Sequence, residues 1–279
     1  MIQMMKPPVP YYGGKSIYVD ILLNYVPSHR CYVEVFGGAG ALLFAKPPSK
    51  IEVYNDIDDY IVTMYRVIRN DYKRFVEYLD FLPYSRTEHN KFLQQLRENN
   101  FVDDVEKAVC VFYLLSTSFG GLMGSSFGTS KTKREAYTYR NRIKKLSKIN
   151  ERLRYVCIEN TDFRTIFDVY DSDETFFYCD PPYVHETRKH ITSYNHEMSN
   201  EDHIEMCHKM VKLKGMVLLS GYPNAIYDSI LVKENKWHID KFETHLNLTP
   251  CLKSKPDNPR TECLFYNEQL VQNLHLLNF

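Results

Sequence analysis

The sequence predicts an α/β fold, a parallel sheet interrupted by a mainly helical insert. Three observations carry it. Short apolar runs alternate with helical stretches near both ends of the chain. A glycine-rich turn joins the first of these runs to a helix. Between about residues 57 and 154 the apolar spacing is that of helices, with no strand-like run. Alternation of this kind places helices over a parallel sheet.

Taken in order, residues 15–26 read as an amphipathic helix with Ile17, Ile21, Leu22 and Tyr25 on its apolar side. "CYVEVF" (31–36) reads as a buried strand, "GGAGALLF" as a turn into a helix, and "KIEVYN" (50–55) as a second strand ending at Asp56. The helical stretch follows, including "VEKAVCVFYLLSTSF", then a glycine-serine loop (120–130) and a basic helix to about residue 154. Strands return at 155–158, 175–179, 216–220 and 262–267. The expected domains are therefore an α/β part at 1–61, a helical insert at 62–154, and the rest of the α/β part at 155–279. The insert has the size of a small domain.

With 44% hydrophobic residues in a chain of 279, a sizeable core is possible. The 22 tyrosines each carry a flat apolar face and a hydroxyl, suited to cores, interfaces and base stacking. No apolar run reaches membrane-spanning length, and the first residues lack the apolar region of a signal peptide. Seven cysteines, an odd number with no CxxC, fit a reduced cytoplasmic protein. Net charge is zero, which argues against a protein that coats nucleic acid. The charge is nevertheless segregated. Lys131 to Arg154 holds ten Lys/Arg against two Glu, and Glu159 to Glu205 holds twelve Asp/Glu against three Lys/Arg. A basic segment is either a solvated helix face or a nucleic-acid surface.

Several motifs bear on chemistry. In "VEVFGGAGALLF" the glycines allow close approach of a ligand, and the following helix offers free amides. An acid ending the next strand, Asp56, has the placement that reaches ribose hydroxyls. Glycines at 37, 38 and 40 with Leu43 depart from GxGxxG, which favours an adenosine cofactor other than NAD. "YYGGKS" is no phosphate loop, since position 9 is Val. Pro250-Cys251 has no identifiable base to activate it. No HExxH exists, and the histidines at 185, 190, 196, 203 and 208 lack ligand spacing, so no metal is expected.

"CDPPYV" (179–184) is the most demanding stretch. Proline removes a backbone donor, and an ionised aspartate only accepts. Asp180, Pro181 and Pro182 thus make a compact acceptor site at the end of a strand, where α/β sheets bind ligands. A group with two N–H donors, an exocyclic amine, matches it. Tyr183 supplies a face on which the amine-bearing ring could stack. Such a pair of acceptors suits adenine, cytosine or an RNA base alike.

"YYGGK", "VEVFGGAG", "YNDID" and "CDPPY", in this order, together resemble the Dam-type DNA adenine-N6 methyltransferases, with a phage or prophage character. "DPPYVHETR", "LLSGYPN" and "RTECLFYN" share the likeness, which covers residues 10–60 and 155–267 well and the insert poorly. The resemblance implies a Rossmann-like fold dependent on S-adenosylmethionine, acting on double-stranded DNA in a cytoplasm, with a cognate restriction endonuclease as an allowed partner. It implies that Tyr11 and Lys15 contact the cofactor. Phe36, Gly37, Gly38 and Gly40 would wrap its methionine part, Asp56 hold its ribose, and Asp162 and Phe163 meet its adenine. Asp180, Pro181, Pro182 and Tyr183 would serve the target base, with Asp180 also beside the cofactor. Tyr194, His196 and Glu197 fall on a nearby loop without an assigned role. The insert has "FGGLMGSSFGTSKTKR" where GATC-reading members carry an "NVPFG"-like stretch, so no recognition sequence carries over.

For the insert the expectation is DNA contact. Arg140, Lys144, Lys148 and Arg152 recur at four-residue steps, a stripe suited to phosphates, and Lys131, Lys133 and Arg134 precede it. Phe119, Met123 and Phe127 sit among glycines and serines and either wedge between bases or pack the insert's own core. The expected reaction is methyl transfer to the N6 amine of an adenine flipped out of duplex DNA. The alternatives are transfer to cytosine N4 or to RNA, and a catalytically silent DNA- or nucleoside-binding module.

Overall fold

The apolar run Thr175–Cys179 forms a strand buried along its whole length. It is central to the second of two units into which the chain divides. The first unit comprises residues 1–19, 38–47 and 58–160, and the second residues 20–37, 48–57 and 161–279. The computed structural model describes residues 5–11, 13–184, 197–244 and 260–275.

In the second unit, β1 (Cys31–Glu34) pairs in parallel with β2 (Ile51–Asn55) on one side and β4 (Thr175–Cys179) on the other. Parallel pairing continues from β4 to β5 (Met216–Gly221). Two antiparallel strands complete the order β2-β1-β4-β5-β7-β6, with β6 at His238–Thr244 and β7 at Arg260–Tyr266. The parallel strands are mostly apolar because they are covered on both faces, with Glu34 and Glu52 as buried exceptions. Val33, Val53, Phe177, Val217 and Leu219 share one buried cluster with Phe163, Phe167 and Trp237. That cluster packs helices α8 (Phe163–Tyr170) and α9 (Asn200–Met210) on the sheet. Further on lie α10 (Ala225–Tyr227), a π-helical stretch Asp228–Glu234, and α11 (Glu268–His275). Chain order reverses between β1 and β4, since β2 lies outside β1 while β5 lies outside β4. A crevice at the carboxyl ends of the strands is expected at such a switch.

The first unit is helical. It contains α2 (Ala41–Ala45), α3 (Asp59–Asn70), α4 (Tyr72–Phe81), α5 (Arg86–Glu98), α6 (Asp104–Thr117), α7 (Glu135–Leu153) and β3 (Val156–Glu159). Asp58 caps α3 and Asp103 caps α6, each carboxylate accepting from a free backbone amide of the first turn. From Ala108 to Thr117, α6 is buried on every side, so it is the axis of the unit. Phe75 and Tyr139 pack edge to face on its Phe112 and Tyr113. Asn150 of α7 donates to the carbonyls of Ile68 and Arg69 at 2.7 and 3.0 Å, satisfying the open end of α3.

Every strand expected from sequence is present, and β6 is an addition. The helix expected at 15–26 is a correction. Lys15–Ile17 is a 3₁₀ turn, and α1 spans only Val19–Leu23. The amides of Tyr18, Asn24, Tyr25 and Val26 each bond three residues back. Tighter turns of this kind rotate the apolar positions off one face, and Ile17 is left 72% exposed. Among the described residues no helix is long and apolar enough to cross a membrane.

Candidate active site

A cavity of about 400 Å³ lies within the second unit, lined by residues that follow the carboxyl ends of the parallel strands. Val35 and Phe36 come after β1, Asn55 and Ile57 flank the end of β2, and Pro182 comes after β4. Thr161, Asp162, Phe163 and Arg164 form the wall at the start of α8, and Met198 and Asp202 the wall at the start of α9. The volume lies in the range of small-ligand sites.

Asn55 organises the entrance, and sequence reasoning missed it. It is buried, donating through Nδ2 to the carbonyls of Val35 (2.8 Å) and Thr161 (3.0 Å) while its Oδ1 accepts from the Thr161 amide at 3.0 Å. One side chain thereby ties three segments of the wall. An amide closing an apolar strand was the available signal, since a polar residue there must find partners. The Gly37 amide donates to the Asn55 carbonyl at 2.7 Å. A Cβ at Gly37 would stand 2.3 Å from the Tyr54 ring, so only glycine lets the turn leave β1 there.

Phe36 and Phe163, both expected at the cofactor, line this cavity with ring centroids 5.9 Å apart. Asp162 lines it too. Its carboxylate caps α8 by accepting from the Arg164 amide at 2.8 Å and pairs with the Arg164 guanidinium at 3.0 Å. Arg164 also donates to Asp202 and Glu205, both at 2.6 Å, and lies over the Phe163 ring. The guanidinium holds the Asp202 and Glu205 carboxyls below their usual range. Asp56 is half-buried between Asn55 and Ile57, both of which line the cavity. Tyr11, Lys15, Gly38 and Gly40 belong to the first unit. There Lys15 is buried, and Tyr11 packs on Gly38, where a Cβ would approach the ring to 3.1 Å. Gly40 caps α2 with φ of 68°, a conformation that glycine adopts without strain.

The acceptor turn leaves β4 as the sequence suggests. Asp180 is half-buried, Pro181 buried, and Pro182 reaches the cavity. The Tyr183 hydroxyl donates to Glu262 at 2.6 Å, and its ring meets Tyr222 edge to face at 4.4 Å. Burial first, then the charges of Asp180 and Glu262, hold the Tyr183 phenol well above its ordinary pKa. Tyr183 is therefore a neutral ring and a hydrogen-bond donor at any physiological pH. Tyr194 and His196 lie outside the described residues, whereas Glu197 lines the cavity.

Cysteine chemistry finds no support nearby. Cys31, Cys110, Cys179, Cys207 and Cys263 are buried, and burial pushes the Cys207 thiol up to about 12. Cys251 lies outside the described residues. Among the described residues no cluster of three or more His, Cys, Asp or Glu is placed to hold a metal.

In the first unit, the Gly-Ser loop is an anchored turn. The Phe119 amide donates to the Ser126 carbonyl (2.8 Å) and the Gly128 amide to the Thr117 carbonyl (2.7 Å). Phe127 turns inward, with ring centroids 4.8 Å from Tyr84 and 5.5 Å from His89 and with Arg86 over its face. Phe119 is 51% exposed, and Met123 is half-buried. On α7, Lys144 and Lys148 are exposed. Arg140 binds the Asp80 carbonyl, and the half-buried Arg152 binds the Leu43 carbonyl at 2.9 Å. Lys131, Lys133 and Arg134 are exposed, with Arg134 over the Tyr137 ring.

Comparison with known proteins gives the same direction throughout. The family model of D12 class N6 adenine-specific DNA methyltransferases matches residues 11–244. The chain is 24% identical over 267 residues to the type II methyltransferase M.MjaIII of Methanocaldococcus jannaschii, covering 82% of this chain and 90% of that one. It is 26% identical over 242 residues to the type II methyltransferase M.CviBI of Paramecium bursaria Chlorella virus NC1A, covering 82% and 89%.

Proposed function

The chain belongs to the family of D12 class N6 adenine-specific DNA methyltransferases, and from that premise we propose that it methylates the N6 amine of adenine in duplex DNA, using S-adenosylmethionine. The observation that carries this reading is the meeting of two features in one cavity. Pro182 of the acceptor turn lines the same space as Phe36, Asn55 and Phe163. An aromatic pair and a volume of about 400 Å³, with the strand-end acid Asp56 lying between two of the lining residues, fit an adenosine moiety. Bound there, S-adenosylmethionine would supply a methyl group on a cationic sulfur. Asp162 and Phe163 would meet its base, Phe36 would lie against its methionine part, and Asp56 would accept from its ribose hydroxyls.

In this reading Asp180 and a carbonyl of the proline turn accept hydrogen bonds from the two N6–H groups of the target base. That would leave the nitrogen lone pair free to take the methyl group, which bound S-adenosylmethionine would supply while leaving as a neutral thioether, the electron pair of the broken carbon–sulfur bond staying on sulfur. The methylated amine then sheds one proton to solvent. Positioning and electrostatics supply the catalysis, and no metal is called for. The adenine has to leave the base stack to reach the turn.

We assign residues 1–61 and 155–279 to catalysis and 62–154 to target recognition. Lys144 and Lys148, with Lys131, Lys133 and Arg134, are the exposed cations suited to phosphate. Phe119 is the exposed apolar residue suited to a wedge. A cognate endonuclease is a partner consistent with the type II relatives. The test is expression in a bacterial host free of DNA methylation, followed by modified-base sequencing. N6-methyladenine in one sequence context is expected. N4-methylcytosine, or unmodified DNA, would overturn the reading.

A further inference from the structure

The stretches "LLSGYPN" and "RTECLFYN" have no role in the reading above, yet each delivers a side chain onto Tyr183. The reason is topological. β7 runs antiparallel to β5, with Gly221 opposite Cys263. The first residues of β7 therefore lie at the edge where β4 and β5 end. Glu262 stands there with 5% exposure, and its Oε1 accepts the Tyr183 hydroxyl at 2.6 Å. Tyr222, which follows β5 directly, sets its ring against that of Tyr183 at 66°. Two contacts on different parts of the ring fix both its swing and its tilt. Because the phenol stays protonated, the bond runs one way, from Tyr183 to the carboxylate.

We propose that Glu262 is a positioning residue that acts through the Tyr183 hydroxyl to hold the ring in the orientation that receives the target base. The proposal rests on the function given above. A buried carboxylate is costly to desolvate, which offsets much of what its hydrogen bond contributes to folding. A bond to a charged acceptor is also stronger than a neutral one. Glu262 is thus better suited to fixing a direction than to stabilising the fold.

The experiment measures single-turnover methylation, S-adenosylmethionine affinity and thermal melting in four variants. Glu262→Met should slow methylation about tenfold or more, with donor affinity and melting near wild type. Glu262→Gln should recover most of that loss, because its amide oxygen still accepts the hydroxyl. Tyr183→Phe should reproduce the effect of Glu262→Met. The double variant Tyr183→Phe, Glu262→Met should be no slower than the slower single one. A double variant slowed by the product of the two effects, or a Glu262→Met variant at wild-type rate, would overturn the proposal. So would a Glu262→Met variant whose loss lies in donor affinity. Should Glu262→Met fail to fold, Glu262→Gln carries the test. Its loss should vanish when combined with Tyr183→Phe, and an equal loss with and without that second substitution would overturn the idea. Orientation is also read without activity, from the ¹⁹F resonance of 3-fluorotyrosine at position 183. A wild-type protein that leaves DNA unmethylated would sink the function and leave this readout standing. A resonance that Glu262→Met does not move would sink the clamp alone.

Discussion

Two turns, one in each unit, solve the problem of holding side chains at the end of a buried element in opposite ways. The turn after β4 makes itself rigid covalently, with two prolines, and takes its orientation from distant residues. Glu262 lies 79 positions along the chain from Tyr183. The loop after α6 is the reverse. Gly120, Gly121 and Gly124 adopt φ of 71°, 68° and 94°, and the loop closes on its own backbone. Local supports from α5, and Tyr84 just before it, pin it further. His89 donates to the Ser125 carbonyl at 3.1 Å, and the Tyr84 hydroxyl to the Gly128 carbonyl at 2.6 Å. The first design fixes the direction of one side chain, Tyr183. The second fixes a shape that displays Phe119 while turning Phe127 inward.

The contrast predicts effects of very different size. The largest is expected at Asp180. Asp180→Ala should lower single-turnover methylation at least ~10²-fold, as loss of an electrostatic stabiliser does, while the donor still binds. Near-wild-type turnover would remove Asp180 from the mechanism. Next is Asp56→Ala, which should weaken S-adenosylmethionine binding by about 1.5–3 kcal/mol, the worth of a hydrogen bond to a charged group. Titration calorimetry on the folded variant checks it, and unchanged affinity would separate Asp56 from the ribose.

Within the loop, Phe127→Ala should cost roughly 2 kcal/mol of stability, toward the low side for an aromatic truncation because the ring is half-buried. Phe119→Ala should leave the melting temperature unchanged and slow methylation of the preferred site. Reversal of these two phenotypes would refute the division between an inward and an outward ring. On α7, Lys144→Ala with Lys148→Ala should weaken binding to all duplexes alike and reduce the salt slope by about 1.8, two phosphate contacts at about 0.9 each. An unchanged slope would make that face merely solvated. The smallest effect concerns pH. Burial lowers the His89 pKa below its ordinary 6.5, so the unfolded chain binds the proton more readily than the fold does. Its contribution is fully present above the unfolded value and is lost as pH falls from about 6.5 toward the lower folded value. Wild type and His89→Gln, melted across that window, should differ in slope. Parallel curves would mean that His89 does not titrate between the two states.

Much of the fold and part of the site are legible in the amino-acid order alone, and the reasons are physical. Thr175–Cys179 is a strand at the very residues expected, because a parallel strand covered on both faces is mostly apolar. The acceptor turn is legible because two prolines after an acid restrict the backbone by themselves. β6 is not, because "HIDKFET" is an edge strand whose one partner is β7, and an edge needs no continuous apolar run. Asn55 and Glu262 escape notice for another reason. Each bonds partners brought near by the sheet, which the neighbouring sequence does not name, although an amide closing an apolar strand does mark Asn55 as a residue in need of partners. Phe119 and Phe127 read alike in sequence, since a glycine-rich loop leaves open which ring turns inward.

The sheet register also sets a schedule for the newborn chain. β1 finds β2 within twenty residues, Cys31 opposite Ile51, but its other neighbour begins only at Thr175. At ribosomal speeds of about 5–20 residues per second, the β1–β2 pair waits roughly 6–24 s for β4. The helices made in that interval rely on local contacts, which form fast, whereas pairing at such separation is slow. Val33 and Val53 meanwhile lie on a sheet face that α8 and α9 do not yet cover, and β1 presents an unpaired edge, so the interval between α3 and β4 is one in which the chain is exposed to aggregation.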